Sequence, residues 1–496
     1  MLITNTLSGA KEPLPATGGK PLRLFVCGPT VYDEPHIGNA RMYIVFDTFV
    51  RFLRSQKIKV FYLQNITDVD DKIIARAREE KTSASAIARK YTAIFKRNMR
   101  ALRVNSVDSY APATKYIPEI IVQVTRLIEK GNAYKIEGDG WYFDLSTFPD
   151  YGKLAKRTVE QAEDGVSRID ENPRKRNRGD FCLWKLAKTD AKDTKPNAND
   201  AKKKHQSILV DGEPAWWAPF GWGRPGWHIE DTAISEKFFG PQYDIHGGGR
   251  DLIFPHHEAE IAQQESASGL KPFVKIWMHV GLVTMSGKKM SKSLRNFITI
   301  DDFLKAHGAN VLRFISLSTH YRSPNDISDE GVEAAKHSLA SLEEFFAKLA
   351  LVAQRKDHPE QTVNIEPLTK NFERSFVDAM EDDLNTPRAL GVIFEFINET
   401  NPMLWNLRAS QMKHIKKTFL DMLDTFGISL ALLKIPQNVR RLVKKREISR
   451  SHQQFTHADT LRKEITALGY KVDDTPVGPL ILKDQILKTK NLKSKP

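Results

Sequence analysis

Near the N-terminus the sequence writes strand, helix and strand with short links between them. Leu22-Arg23-Leu24-Phe25-Val26 reads as a short strand, broken by Cys27-Gly28-Pro29-Thr30. Apolar residues then recur at Met42, Val45, Phe46, Phe49, Phe52 and Leu53, the spacing of a helix face. A second strand, Val60-Phe61-Tyr62-Leu63, ends at Asn65-Ile66-Thr67-Asp68. Two strands joined through a helix lie parallel, and parallel sheets take ligands beyond the carboxyl ends of their strands. The fold class is therefore α/β.

The chain's 496 residues suffice for about three domains. With 41% hydrophobic and 27% charged residues, wholesale disorder, collagen-like repeats and small disulfide scaffolds are excluded. The α/β patterning fills 1–110 and returns over 223–300, on either side of an insertion at 111–222. Within the insertion, 187–207 has almost no large apolar residues and reads as a mobile loop. Long helical patterns dominate beyond 300, and no internal repeat is visible.

Two cysteines, Cys27 and Cys182, cannot make a disulfide framework, and Cys182 reads as core. The first eleven residues have no apolar core for a signal peptide. The most apolar stretch, 43–53, is interrupted by Asp47 and Arg51 and is too short to span a bilayer. A cytoplasmic protein without membrane attachment is expected. Its formal charge is +14, and residues 437–496 carry fourteen lysines and arginines against six acidic residues. Such a cluster points to a polyanionic partner, nucleic acid before membrane.

Two short motifs carry chemistry. Pro35-His36-Ile37-Gly38-Asn39 lies where the first helix begins, and helix N-termini attract phosphates. Lys288-Lys289-Met290-Ser291-Lys292-Ser293 supplies lysines that could neutralise a leaving pyrophosphate. Two other matches are decoys. Gly221 to Gly226 fits a dinucleotide fingerprint formally but has no clear strand before it, and His257-Glu258 lacks a zinc protease's second histidine.

The motif pair resembles the HIGH and KMSKS signatures of class I aminoacyl-tRNA synthetases, and the surrounding residues resemble the cysteinyl-tRNA synthetase family. Those residues are Phe25 to Asp33, Asn65 to Lys72, Gly223 to Glu230, His246-Gly247-Gly248-Gly249, Phe254 to Glu258 and Asp382 to Pro387. The resemblance runs in order along nearly the whole chain. It implies a Rossmann-type catalytic domain split by the insertion and followed by a helical anticodon-binding half. That half would comprise a linking, stem-contacting region (301–345), a helical bundle (346–436) and a basic anticodon-binding domain with a flexible tail (437–496).

It also implies ATP-dependent activation of L-cysteine and transfer to tRNA-Cys by a monomer, with Mg2+ accompanying ATP. His36, Asn39, Lys289 and Lys292 would act on the phosphates. Gly28, Thr30, Gly38, Gly247, Gly248 and Asp251 would complete the ATP site, and Thr67 and Trp227 would wall the cysteine pocket. Trp227 and Asp231 are four apart, so a helix there would carry both. Zn2+ would be held by Cys27, His256 and Glu260, the last two spaced to share a helix face. The family's fourth ligand is a cysteine, where this chain has Asp231, which keeps the charge but offers a harder oxygen. Asp231 as a ligand, Asp231 behind a three-ligand metal, and no metal all stay open. Asn39 likewise stands for the signature's second histidine and keeps only an amide donor.

For tRNA, the resemblance points to Arg440, Arg441, Lys444, Lys445 and Arg446, with Tyr470 able to stack on a base. Asp473 to Pro479 resembles the family's terminal motif, although the tryptophan expected after it is missing. Two alternatives remain: a cysteine ligase with a non-tRNA acceptor, which would lack the basic helical half, and a non-catalytic tRNA-binding paralogue.

Overall fold

Near-continuous burial along Leu22–Val26 (β1) shows a strand covered on both faces, with Leu22, Leu24, Phe25 and Val26 all buried. The computed structural model describes residues 1–157, 172–188, 207–285, 287–289, 297–354 and 364–484. Four more strands join β1 in one parallel sheet: Val60–Ile66 (β2), Ser109–Pro112 (β3), Tyr243–Gly249 (β4) and Val274–Val280 (β5). Their spatial order is β5-β4-β1-β2-β3. The direction of winding reverses between β1 and β4, which opens a crevice beyond their carboxyl ends. Leu24 sits opposite Tyr62 and Ile245, and Val26 opposite Gln64 and Gly247.

One unit holds residues 1–328 with 380–386, and a second holds 329–379 with 387–496. The helices of the first are Ile37–Ser55 (α1), Asp71–Glu79 (α2), Ala84–Ala101 (α3), Ile117–Glu129 (α4), Ile229–Phe239 (α5), Glu258–Ser268 (α6), Ile300–His307 (α7) and Ala309–Leu317 (α8). The insertion contributes three strands, and Gly223–Pro225 just after it the fourth, to an antiparallel sheet in order Gly223–Pro225, Phe181–Leu186, Gly140–Phe143, Ala133–Ile136. Cys182 is buried there among Tyr134, Ile136 and Tyr142. Helix α4 shares a core with that sheet's Phe143, Phe181 and Trp184 and with the parallel-sheet part. Its stripe of Ile117, Ile120, Val124 and Leu127 packs in one cluster with Ile229, Ala233 and Ala259. Of the loop expected at 187–207, residues 189–206 lie outside the described residues.

The second unit runs through Asp329–Val352 (α9), Glu366–Glu381 (α10, whose last residues belong to the first unit), Thr386–Thr400 (α11), Ala409–Thr425 (α12), Gln437–Ser451 (α13) and Phe455–Ala467 (α14). Helix α9 passes through residue 345 without a break. A hairpin, Tyr470–Thr475 with Gly478–Lys483, closes over α13 and α14 around Val439, Val443, Ile465 and Val472. Among the described residues no helix is long and apolar enough to cross a membrane.

Helix α1 is longer than its apolar pattern suggests and is buried nearly all round, including Arg41 and Asp47. Arg41 donates to the carbonyls of Gly281 (2.8 Å), Ser323 (2.7 Å) and His320 (3.0 Å). Asp47 accepts from Arg313 (2.7 Å), Arg51 (2.8 Å) and the Ser106 hydroxyl (2.7 Å). Burial works against charge on Asp47, yet Arg313 and Arg51 hold it below the usual carboxylate range. Within the Asp382 to Pro387 motif, Asp383 ties the first unit together. Asp383 accepts from the Thr4 N–H (2.7 Å), the Thr4 hydroxyl (2.6 Å) and the Tyr321 hydroxyl (2.7 Å).

Asp47→Asn leaves the buried Arg313 without its counter-charge and should cost about 3–5 kcal/mol in urea unfolding near neutral pH. The folded pKa of Asp47 is depressed, so its contribution is complete above the unfolded value and lost as pH falls through the folded one. The difference from the parent should therefore hold constant down to about pH 4 and shrink below it. A neutral-pH difference under about 1 kcal/mol, the size of a surface pair, would refute this role.

Candidate active site

Cys27 follows β1 directly, and its N–H donates to the Gly247 carbonyl (3.0 Å) at the head of the neighbouring β4. This places its thiol in the crevice where the sheet order reverses. Gly28 is needed beside it because a β-carbon there would overlap the Asn65 carbonyl. Asp231 and Glu260 stand in the first turns of α5 and α6, where the helix dipole favours carboxylates. His256 lies in the turn Ile253–His257 leading into α6.

The donor atoms of Cys27, Asp231, His256 and Glu260 all lie within 4.8 Å of one another, and all four residues are buried. His256 Nε2 is 3.1 Å from Asp231 Oδ2 and 2.9 Å from Glu260 Oε1. Cys27 Sγ is 4.0 Å from Glu260 Oε1. A second group of four, Cys27, His246, His257 and Glu260, meets the same limit. In it Cys27 Sγ approaches His246 Nε2 (3.3 Å) and His257 Nε2 (3.1 Å).

Each imidazole is held by its far nitrogen. His256 Nδ1 meets His228 Nδ1 (2.8 Å), His257 Nδ1 meets His279 Nε2 (2.8 Å), and His246 Nδ1 meets the Tyr243 hydroxyl (2.6 Å). Such outer contacts orient rings that ligate a metal. Of these five histidines, the sequence gives a site role only to His256. The repeated histidines of His246-Gly247-Gly248 and Pro255-His256-His257 were the available signal, whereas His228 and His279 join only through the fold.

Charge in this pocket is strained. Burial, reinforced by Asp231 and Glu260, pushes the Cys27 thiol well up. Burial lifts Glu260 to about 7 against the pull of His256. Burial opposes charge on His256 too, but Glu260 and Asp231 raise it to about 10. Burial and neighbouring imidazoles push His228, His246 and His257 well down. The residues fit a divalent cation: the donors are a thiol, an imidazole and carboxylates, and the buried Glu260 Oε2 makes no hydrogen bond among the described residues.

Trp227 stacks on His256, with ring centroids 4.6 Å apart. It precedes α5 and does not share that helix with Asp231, contrary to the expectation from their spacing. The reason is Gly226, where a β-carbon would overlap the Cys182 carbonyl; the chain is still packed against the insertion's sheet and turns into a helix only at Ile229. Thr67 is buried and its hydroxyl donates to Glu230.

On the same sheet end, His36 caps α1. Its Nδ1 accepts from the Gly38 N–H (3.1 Å), and its own N–H donates to Asn39 Oδ1 (3.2 Å). With Nδ1 accepting, a neutral ring carries its proton on Nε2. Burial lowers the pKa of His36, partly offset by Asp251, so the neutral form prevails. Phe297 stacks edge-on against the ring (5.0 Å), and the Ile298 carbonyl accepts from Ile37 N–H (3.2 Å). The segment that follows the lysine motif thus packs against the mouth of α1. Lys289 lies in the short strand Lys288–Lys289; Lys292 is outside the described residues. Thr30 bridges to Thr67 beside Gly28. Gly247 and Gly248 have a packing reason as well, since β-carbons there would run into Phe46 and His257. Asp251 is exposed in the turn after β4.

In the second unit Arg440, Arg441, Lys444 and Lys445 are exposed along α13. Arg446 is not on that surface. It is buried and paired bidentately with Asp474 (2.7 and 2.9 Å), which ties α13 to the hairpin. Tyr470 is half-buried against the same small core. The lysine-rich tail beyond 484 lies outside the described residues.

Residues 14–337 match the class I (C) tRNA synthetase catalytic domain, and 375–434 match the DALR domain. Cysteine--tRNA ligase of Thermococcus gammatolerans is 39% identical over 96% of this chain and 98% of its own. That of Carboxydothermus hydrogenoformans is 40% identical over 96% and 99%. Among solved structures, a leucyl-tRNA synthetase ternary complex from Agrobacterium radiobacter covers 83% of this chain and 84% of its own, with a TM-score of 0.62 at 12% identity. A Mycobacterium tuberculosis methionyl-tRNA synthetase covers 82% and 89%, with a TM-score of 0.57 at 17% identity. These two likenesses concern the fold.

The cap made by the His36 ring can be separated from turnover. His36→Ala should lose about 1 kcal/mol of stability with the cap. His36→Asn restores a capping acceptor and should recover most of that loss. Both variants lose the Nε2 donor and should lower ATP-dependent turnover about 10²-fold or more. Full turnover in the Asn variant would confine His36 to capping.

Proposed function

The chain belongs to the cysteinyl family of class I tRNA synthetases, and we propose that it activates L-cysteine with ATP and transfers it to the 3′ end of tRNA-Cys. The observation that carries this reading is the convergence of Cys27, Asp231, His256 and Glu260 in the crevice between β1 and β4. The capped mouth of α1 stands over the same sheet end.

In the first step the cysteine carboxylate attacks the α-phosphorus of ATP, the bond to the β-phosphate oxygen breaks, and pyrophosphate leaves. The substrate is its own nucleophile, so the protein positions groups and stabilises charge. His36 Nε2–H and the Asn39 amide, whose Oδ1 is spent on the cap, donate to phosphate oxygens. Lys289 and Lys292 neutralise the departing pyrophosphate, which carries Mg2+. Asp251 accepts from ribose hydroxyls, and Gly28, Thr30, Gly38, Gly247 and Gly248 leave room for the nucleotide. In the second step a hydroxyl of the terminal adenosine of tRNA attacks the acyl carbon and AMP leaves.

Cys27, Asp231, His256 and Glu260 would hold Zn2+. When bound, zinc supplies a Lewis acid that prefers a soft thiolate to a hydroxyl, which separates cysteine from serine. Trp227, packed on His256, walls the pocket, while Thr67 restrains Glu230. Arg440, Arg441, Lys444 and Lys445 attract the tRNA backbone. Arg446 serves the fold around them. Two buried cysteines that form no disulfide suit a reducing cytoplasm, where the enzyme would act as a monomer.

Purified protein should exchange pyrophosphate into ATP with cysteine and not with serine, and should charge tRNA-Cys. Chelation of the metal should abolish the preference for cysteine. Exchange without charging would turn the reading to a ligase with another acceptor, and tRNA binding without exchange to a non-catalytic paralogue.

A further inference from the structure

We propose that Asn65 is a positioning residue that makes Asp231 a ligand through a single oxygen. This rests on the reading of Cys27, Asp231, His256 and Glu260 as a metal site and adds a residue to it. A carboxylate has two oxygens and can bind a cation through either or both. Which happens in a buried site depends on what holds the other oxygen.

Asn65 stands at the carboxyl end of β2 and is buried. Its Oδ1 accepts from the Gly28 N–H (2.5 Å), which fixes the orientation of the amide. The NH2 group must then face the other way, and there it donates to Asp231 Oδ1. Asp231 Oδ2 is the oxygen turned to His256 Nε2 (3.1 Å), inside the group of four donors. One oxygen is capped and the other is presented. The same amide is 3.4 Å from Glu230 Oε1, which also accepts from the Thr67 hydroxyl, so the neighbouring acid is already engaged by two donors. Asn65 thus spans from the residue after Cys27 to Asp231 and sets the distance between two ligand-bearing segments that are far apart in sequence.

The test is cobalt(II) binding to the full-length chain, followed by its visible absorption and by competition with a chromophoric chelator. Asn65→Leu keeps the side-chain volume and removes the hydrogen bonds to Gly28, Asp231 and Glu230. It should weaken cobalt binding about ten- to a hundred-fold. It should also lower the intensity of the visible bands, as a freed carboxylate adds a second oxygen and the coordination number rises. In an Asp231→Cys background the ligand has one donor atom, and Asn65→Leu should then change affinity less than about three-fold, within ordinary non-additivity. Asn65→Ser, which withdraws the donor from Asp231 but leaves a small polar group beside Gly28, is the second variant should the leucine chain fail to fold. Equal losses in the parent and Asp231→Cys backgrounds would mean that Asn65 only supports the backbone at Gly28 and would overturn the proposal. Unchanged affinity and spectrum in the parent background would overturn it as well. Failure of the metal reading looks different: the unsubstituted chain itself would take up no cobalt.

Discussion

The pocket at the head of the sheet is governed by buried negative charge. Cys27, Glu230, Asp231 and Glu260 are withdrawn from water together, and no lysine or arginine pairs with any of them among the ion pairs of the described residues. Isolated buried carboxylates are tolerated only when neutralised, by protons or by a cation. Protons are one answer, visible in the raised pKa values of Glu260 and His256. A divalent ion is the other, and it alone uses the thiol, the imidazole and the carboxylates at once.

Parallel pairing makes the pocket possible. Cys27 comes from the first βαβ unit, while Asp231, His256 and Glu260 come from segments some two hundred residues later. The Cys27–Gly247 hydrogen bond and the β1–β4 register hold the two pieces at one end of the sheet. The glycines at 28, 226, 247 and 248 all allow backbone or ring contacts that a β-carbon would block. A substitution at any of them acts on the site through the fold. The ion pair between Asp47 and Arg313 anchors the helix that presents His36 in the same way.

Much of this was legible in the sequence because it depends on local pattern. The βαβ unit and the four-apart spacing of His256 and Glu260 follow from local pattern. What was hidden depends on long-range closure. Trp227 misses the helix of Asp231 because of contact with the insertion's sheet. Arg446 looks like its exposed neighbours until Asp474 is seen to claim it. Helix α4 falls inside the insertion by position, yet its stripe shares one core cluster with Ile229, Ala233 and Ala259. Asn65 and Thr67 were visible as a motif, but their partners, Gly28, Asp231 and Glu230, come together only in three dimensions.

Metal-edge X-ray absorption, recorded with and without cysteine, tests the central claim most directly. The account predicts one sulfur neighbour at about 2.3 Å, from Cys27, and nitrogen and oxygen neighbours at about 2.0–2.2 Å. Addition of cysteine should raise the sulfur count to two, and serine should leave it at one. A protein that holds no metal, or a sulfur count indifferent to cysteine, would contradict it.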